Sequence, residues 1–299
     1  PGNSMKQLFI LGFLVISLFI SASDGFCQEI DAPNTKVTYY DERDHIIKEI
    51  RNFSLEKSQA QGFYKSVTNF DRYGKIVQTE EVFTEGAVQK SGILRQIRFF
   101  DKNGHLTRVE KELSPNNPKD PGVRKSVFHL RPNGMKEKLE LYYSTEAAER
   151  TGFNRIVFFH NPDGRKTHET LYHTQHKAEQ QGVYKSNINY TPAGLKKSVI
   201  WWMTEVYIAA EQITKVVFYY DSKGNETKQE GHFSREKAKE LGYYKTIMHH
   251  DLAGRKLKEE RYYLQNNQSA KGYYKGIITF DEDGRIITEE KFDKYGNTF

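Results

Sequence analysis

Gly272-Tyr-Tyr-Lys-Gly-Ile-Ile-Thr-Phe-Asp-Glu-Asp-Gly-Arg-Ile-Ile-Thr-Glu-Glu-Lys291 reads as one β-hairpin. Two runs rich in β-branched and aromatic residues flank Asp281-Glu-Asp-Gly284, and an Asp-x-x-Gly whose glycine supplies φ > 0 is what a type I turn with a G1 bulge requires. The same punctuation recurs upstream every thirty residues, at Gly74, Gly104, Gly134, Gly164, Gly194, Gly224 and Gly254, with Asp44 one period before the first. Nearly everything from Tyr39 to Lys291 is a variation on this unit. That phase says much about architecture and little about activity.

Each unit's first strand follows a glycine, Gly62, Gly92, Gly122, Gly152, Gly182, Gly242 or Gly272, with Gln212 the one departure. Three residues on stands a base: Lys65, Arg95, Lys125, Arg155, Lys185, Lys215, Lys245 and Lys275. The return strand carries Glu80, Glu110, Glu140, Glu230, Glu260 and Glu290. With a three-residue bulged loop closing the hairpin, residue 65 is expected opposite 81 and 66 opposite 80, so that bases and glutamates become cross-strand or diagonal neighbours. The plain reading is a charge ladder on a solvated sheet, each pair worth roughly 0.2–1 kcal/mol. The sharper reading is a row of cations that recognises a polyanion, such as an acidic polysaccharide or lipid headgroups.

Between hairpins, Ser54–Gly62, Ser144–Gly152 and Ser234–Gly242 each offer a Ser N-cap, an early acid, good helix formers and a C′ glycine, which predicts two-turn helices. A seven-residue helix is about 10 Å long, more than the ~4.8 Å between paired strands, so it folds over a face, runs along an edge or delivers the chain to a second layer. One such unit cannot bury its apolar residues, but stacked neighbours share a core. The expected fold is mainly β, a solenoid-like tandem repeat of about eight hairpin-plus-helix units filling a single domain over 28–299. It is expected to be elongated or arc-shaped, since open sheets rarely exceed about ten strands without curling.

Two connectors break the pattern. Ser114–Gly122 holds Pro115, Pro118 and Pro121, which remove helical amides and predict an irregular loop. Ser198–Gln212 holds both tryptophans and has no charged residue from Ser198 to Thr204. Trp201 and Trp202 point to opposite faces, so at least one packs in the core, while the other, with Met203 and Tyr207, is a candidate patch for a partner.

Met5-Lys6, an apolar run from Leu8 to Ile20 and then Ser21-Ala-Ser23 follow the order of a secretory signal peptide. The run is short of the about 20 residues that span a membrane. Residues 1–27 are therefore assigned to a leader, with Pro1–Ser4 foreign residues ahead of Met5. The mature chain is expected in the periplasm, on the outer surface or secreted, without a transmembrane span. Cys27 is the only cysteine, so no internal disulfide forms. A lipid anchor there is the less favoured reading, because Phe26 is bulky where lipoprotein signals have a small residue.

Net charge is a mild +6, and acids alternate with bases inside every repeat, whereas a nucleic-acid binder concentrates basic charge on one face. Phosphate-binding glycine loops, nucleophile elbows and His-Glu-x-x-His are all missing from the sequence. His160, His168, His173 and His176 form the densest histidine set, but no carboxylate or cysteine framework completes a metal site. A catalytic glutamate pair should be singular, whereas these glutamates recur once per repeat. No catalytic, cofactor-binding or metal residue is nominated.

Phe280–Glu290 and Phe70–Glu80, each with an aromatic before the turn, a glycine in it and a glutamate on the return strand, resemble the variant MORN repeats of bacterial proteins; Tyr-Asp repeats of bacterial surface and toxin shells are similar too. The likeness covers the hairpin of every unit, the helical connector making this period longer. It implies a scaffold or interaction module, with no catalytic residues to carry over.

These features together suggest a non-enzymatic, exported scaffold that binds a protein or polymer of the bacterial envelope or exterior. Two alternatives stand beside it. A carbohydrate-active enzyme would need two carboxylates about 5 Å apart, or roughly 6.5–9.5 Å apart if inverting. A polyanion binder would lose affinity steeply with salt.

Overall fold

The computed structural model describes residues 7–11, 34–117, 120–264 and 272–299. The chain divides into two compact units, Pro1–Ala147 and Ala148–Phe299. Apart from a strand at Gln7–Leu11, which pairs with Thr35–Tyr40, the expected leader lies outside the described residues, and Cys27 with it.

Both units are antiparallel meanders. In the first, strands Thr35–Tyr40, Ile46–Asn52, Phe63–Phe70, Ile76–Phe83, Ile93–Phe100, Leu106–Leu113, Val123–Leu130 and Lys136–Tyr143 pair each with the next. In the second, Phe153–His160, Lys166–His173, Val183–Tyr190, Lys196–Met203, Ile213–Tyr220, Glu226–Phe233, Tyr243–His250, Lys256–Tyr263, Lys275–Phe280 and Ile286–Phe292 do the same. The expected mainly β, hairpin-built fold is present. Of the three routes open to the short helices, the second layer is not taken, because the strands a helix joins are hydrogen-bonded neighbours.

The turns take the geometry their residues demand. Gly284 sits at φ +80 and donates to the Asp281 carbonyl at 3.0 Å. The Asp281 carboxylate accepts from the Asp283 and Arg285 amides at 3.0 and 2.8 Å, so the side chain satisfies two amides the tight loop would otherwise orphan. Asp44, one period before the first turn glycine, adopts φ 61. A further turn, Asp293-Lys-Tyr-Gly296, lies outside the thirty-residue phase, and beyond it Phe299 donates back to the Lys291 carbonyl at 3.0 Å.

The expected register is corrected by one residue. Lys65 lies opposite Val82, Ser66 opposite Glu81 and Val67 opposite Glu80. Just past the turn the pairing steps from Phe70↔Ile76 to Asn69↔Gln78, leaving Val77 as an extra residue, and Tyr64 restores the count before Phe63↔Phe83. One bulged residue exchanges the faces of everything beyond it on one strand relative to the other. Base and glutamate columns consequently share a face as diagonal neighbours.

The serine-capped connectors form seven-residue helices at Leu55–Gln61, Thr145–Thr151 and Arg235–Leu241, joined by Glu85–Ser91, Gln175–Gln181 and Glu205–Glu211. Ser234 Oγ accepts from the Lys237 amide at 3.2 Å, and Gly242, at φ 82, donates to the Ala238 carbonyl at 2.9 Å. The C′ carbonyl then accepts from the residue leaving the return strand, as Thr84 to Gly62 at 3.0 Å and Thr204 to Gly182 at 2.7 Å, so each helix end is tied to its own hairpin. The proline connector forms no helix among its described residues, 118 and 119 lying outside them. The core is thin and built mainly of β-branched strand residues, among them Val67 and Val127 in the first unit and Val157, Val217 and Ile247 in the second.

Candidate functional site

The corrected register sets the bases directly opposite a column of different character. In the second unit the order across the sheet is Arg155, Tyr172, Lys185, Trp202, Lys215, His232, Lys245, Tyr262, Lys275 and Phe292, each directly opposite the next. Cation alternates with aromatic ring on a single face. The Arg155 guanidinium lies 5.0 Å from the Tyr172 ring centre and Lys245 Nζ 4.0 Å from that of Tyr262, while Lys185 and Lys215 sit 5.7 and 5.6 Å from Trp202. Such contacts contribute about 0.5–1 kcal/mol each where exposed and more where desolvated. In the first unit the same row reads Asn52, Lys65, Val82, Arg95, Glu112, Lys125 and Tyr142, with fewer rings.

Two residues along each return strand from this row runs the glutamate column, and it pairs with the bases of the following hairpin. Arg95 Nε meets Glu80 at 2.7 Å, Lys125 Nζ meets Glu110 at 2.7 Å and Lys275 Nζ meets Glu260 at 2.8 Å. Glu140 and Glu260 are buried rather than solvated, at 5% and 7% exposed, whereas Glu290 at the end of the column is exposed. Burial drives the Glu260 carboxyl up, but Lys258, Lys275 and Tyr262 all donate to it and hold it at about 2. Arg95, Lys125 and Lys275 are thereby neutralised.

The compensation lapses in the middle of the second unit, where Thr170 and Ile200 occupy the glutamate positions. Lys185 and Lys215 have no ion pair among the described residues. Beside them Trp202 Nε1 and Asn187 Oδ1 are buried with no hydrogen-bond partner in this structure.

The four residues expected to form an apolar patch separate. Trp201 is 39% exposed and meets Phe218 edge-on at 4.6 Å. Trp202 faces the other side, within the row. Met203 is 4% exposed and packs with Val183 and Val216, and Tyr207 leans on that cluster with its ring over Gly182. Gln212, where the glycine is lost, still adopts the left-handed conformation at φ 56.

The histidines are dispersed. His168 stacks on Phe159 at 4.0 Å, His176 bonds Gln180, and His173 Nε2 lies 2.9 Å from Ser186 Oγ. Burial, aided by Lys177, lowers the His173 pKa to about 4. No group of three or more His, Cys, Asp or Glu placed to hold a metal ion occurs among the described residues, and no helix among them is long and apolar enough to cross a membrane.

No family model matches the chain, and no curated protein does. Two solved structures, the crystal structures of TcdB2-TccC3 and of TcdB2-TccC3-Cdc42, align with 91% of this chain at 12% and 13% identity, each with a TM-score of 0.13. The chain spans 18% of the length of each, and a likeness at that score carries no argument about fold or activity.

Proposed function

We propose that this chain is an exported, non-enzymatic scaffold of about eight tandem hairpin units, akin to variant MORN or Tyr-Asp repeats, that binds a protein or polymer of the bacterial envelope or exterior. The observation that carries the reading is the ten-residue row of alternating cations and rings along one face of the second unit. A repeated row offers the same chemistry at even intervals, which suits an extended partner better than a single small substrate. The glutamates support it too. A general acid at neutral pH needs a raised pKa, whereas Glu260 is held at about 2 by its cations.

The test is capture of native envelope and secreted fractions by cross-linking to the immobilised chain, beside a Lys185→Gln/Lys215→Gln/Lys245→Gln variant with an unchanged circular dichroism spectrum. Stoichiometric retention of a protein or polymer by the native chain, lost in the variant, is the expected result. Equal retention by both would remove the row from the function, and turnover of a glycan or peptide in the same fractions would refute the non-enzymatic reading.

A further inference from the structure

Arg95, Lys125 and Lys275 of the row are paired with column glutamates, and the row's chemistry differs where that column fails. Lys185 is the lysine between both failures: its diagonal neighbours are Thr170 and Ile200, and its direct neighbours are the rings of Tyr172 and Trp202. Lys215, two strands on, borders Ile200 on one side and Glu230 on the other, and makes no ion pair with Glu230 among the described residues. Positive charge at Lys185, held over aromatic rings without a carboxylate beside it, attracts an anion.

The polar atoms beside Lys185 point to more than an anion. Trp202 Nε1 can only donate and Asn187 Oδ1 can only accept, and both are shielded from water yet bonded to nothing. A ligand satisfying both has hydroxyl or amide groups beside its charge. Lys185 and Lys215 lie over the indole, so an anion seated on them lies beside that ring.

Spacing narrows the class. Successive cations of the row are two strands apart, about 9.6 Å at ~4.8 Å per strand, whereas an extended peptide presents same-face side chains about 6.8 Å apart. The longer interval is close to the length of a disaccharide. Resting on the scaffold reading above, we propose that Lys185, Trp202, Lys215 and Asn187 form a binding site for an acidic polysaccharide with one acid group per disaccharide. Successive carboxylates seat on Lys185 and Lys215, and hydroxyl or acetamido groups beside them engage Trp202 Nε1 and Asn187 Oδ1.

Calorimetric titration with a hyaluronan decasaccharide, which alternates uronate and N-acetylhexosamine, tests this against its carboxyl-reduced form and a poly-glutamate of equal charge. Lys185→Gln and Lys215→Gln should each weaken hyaluronan binding about tenfold and lower the slope of log K against log salt. Trp202→Phe, which keeps a ring but loses the N–H, should weaken it about threefold. Lys223→Gln, an equal loss of charge in a turn, should change it less than about twofold. Equal weakening by Lys223→Gln, or poly-glutamate binding as tightly as hyaluronan, would reduce the effect to bulk charge and overturn the site. No hyaluronan binding, with a partner still captured from envelope fractions, would overturn the glycan and keep the scaffold; failure of both would remove both.

Discussion

Replacing Gln212 by glycine should stabilise the second unit. Gln212 ends the helix Glu205–Glu211 at φ 56, ψ 27, in the region that glycine occupies at the other described C′ positions. A side chain there costs roughly 1–2 kcal/mol against the preceding carbonyl, while glycine's extra freedom in the unfolded chain gives back about 0.5–1 kcal/mol. Gln212 Oε1 is also buried without a partner, which adds to the gain. The net is about 1 kcal/mol, or ~2–4 °C in Tm for a unit of roughly this size. Differential scanning calorimetry with urea denaturation reads both. Gly62→Gln is the mirror experiment: Gly62 has φ 84 and an added Cβ would meet Ala87 Cβ at an ordinary 3.5 Å, so about 1 kcal/mol should be lost to conformation alone. Gly182→Gln should lose more, because its Cβ would come 2.2 Å from the Tyr207 ring. Unchanged or lower stability in Gln212→Gly, with Gly62→Gln falling as expected, would refute the claim that backbone strain is stored at 212.

Two further perturbations test the electrostatics. Glu260→Ala strands Lys258 and Lys275, which the carboxylate holds at 2.7 and 2.8 Å, and should cost about 2–3 kcal/mol by urea denaturation. Because its pKa falls from 4.5 unfolded to about 2 folded, Glu260 contributes stability that is complete above pH 4.5 and disappears as pH falls toward 2; the variant should lose that acid-side slope. His173 acts in a higher window: with 6.5 unfolded and about 4 folded, the unfolded chain gains the proton first, so stability is full above pH 6.5 and declines down to about pH 4. Discounted for its partial exposure, that decline is on the order of 1–2 kcal/mol, and His173→Gln should flatten it.

What was legible in the sequence follows the range of the interactions involved. Asp281-x-x-Gly284 and Ser234…Gly242 specify turn and helix through contacts within a few residues, and the structure forms both as read. Thr84 and Thr174 cap helices by the same rule, their hydroxyls accepting from the Ala87 and Lys177 amides as serine does elsewhere. Asp293-x-x-Gly296 has the turn signature but falls outside the period, so phase alone misses it. Register is another matter. The extra residue at Val77 answers to strand twist and to packing along a whole strand, and no local signal marks it. That one residue hid the candidate site: with 65 set opposite 81, the bases faced Glu81, Lys111 and Leu141, whereas the true partners are Val82, Glu112, Tyr142 and, further on, Tyr172 and Trp202.

The same displacement changes which departures from the repeat matter. On sequence grounds Ser198–Gln212 stands out for its tryptophans, yet Met203 is core, and Gln212 keeps the backbone conformation of the glycine it replaces. The substitution with electrostatic effect is quieter, a threonine at 170 and an isoleucine at 200 where glutamate stands in most repeats. A periodic Lys–Glu pair is satisfied within the sheet, so a ligand must break it to gain from it, and the energy of the exchange is small. A lysine whose glutamate is gone holds its charge already desolvated in part, against rings that keep it in place, and can give that interaction to a ligand without first losing another. The periodicity of the sheet builds the platform, and the lapse at 170 and 200 sets where on it an anion binds most favourably.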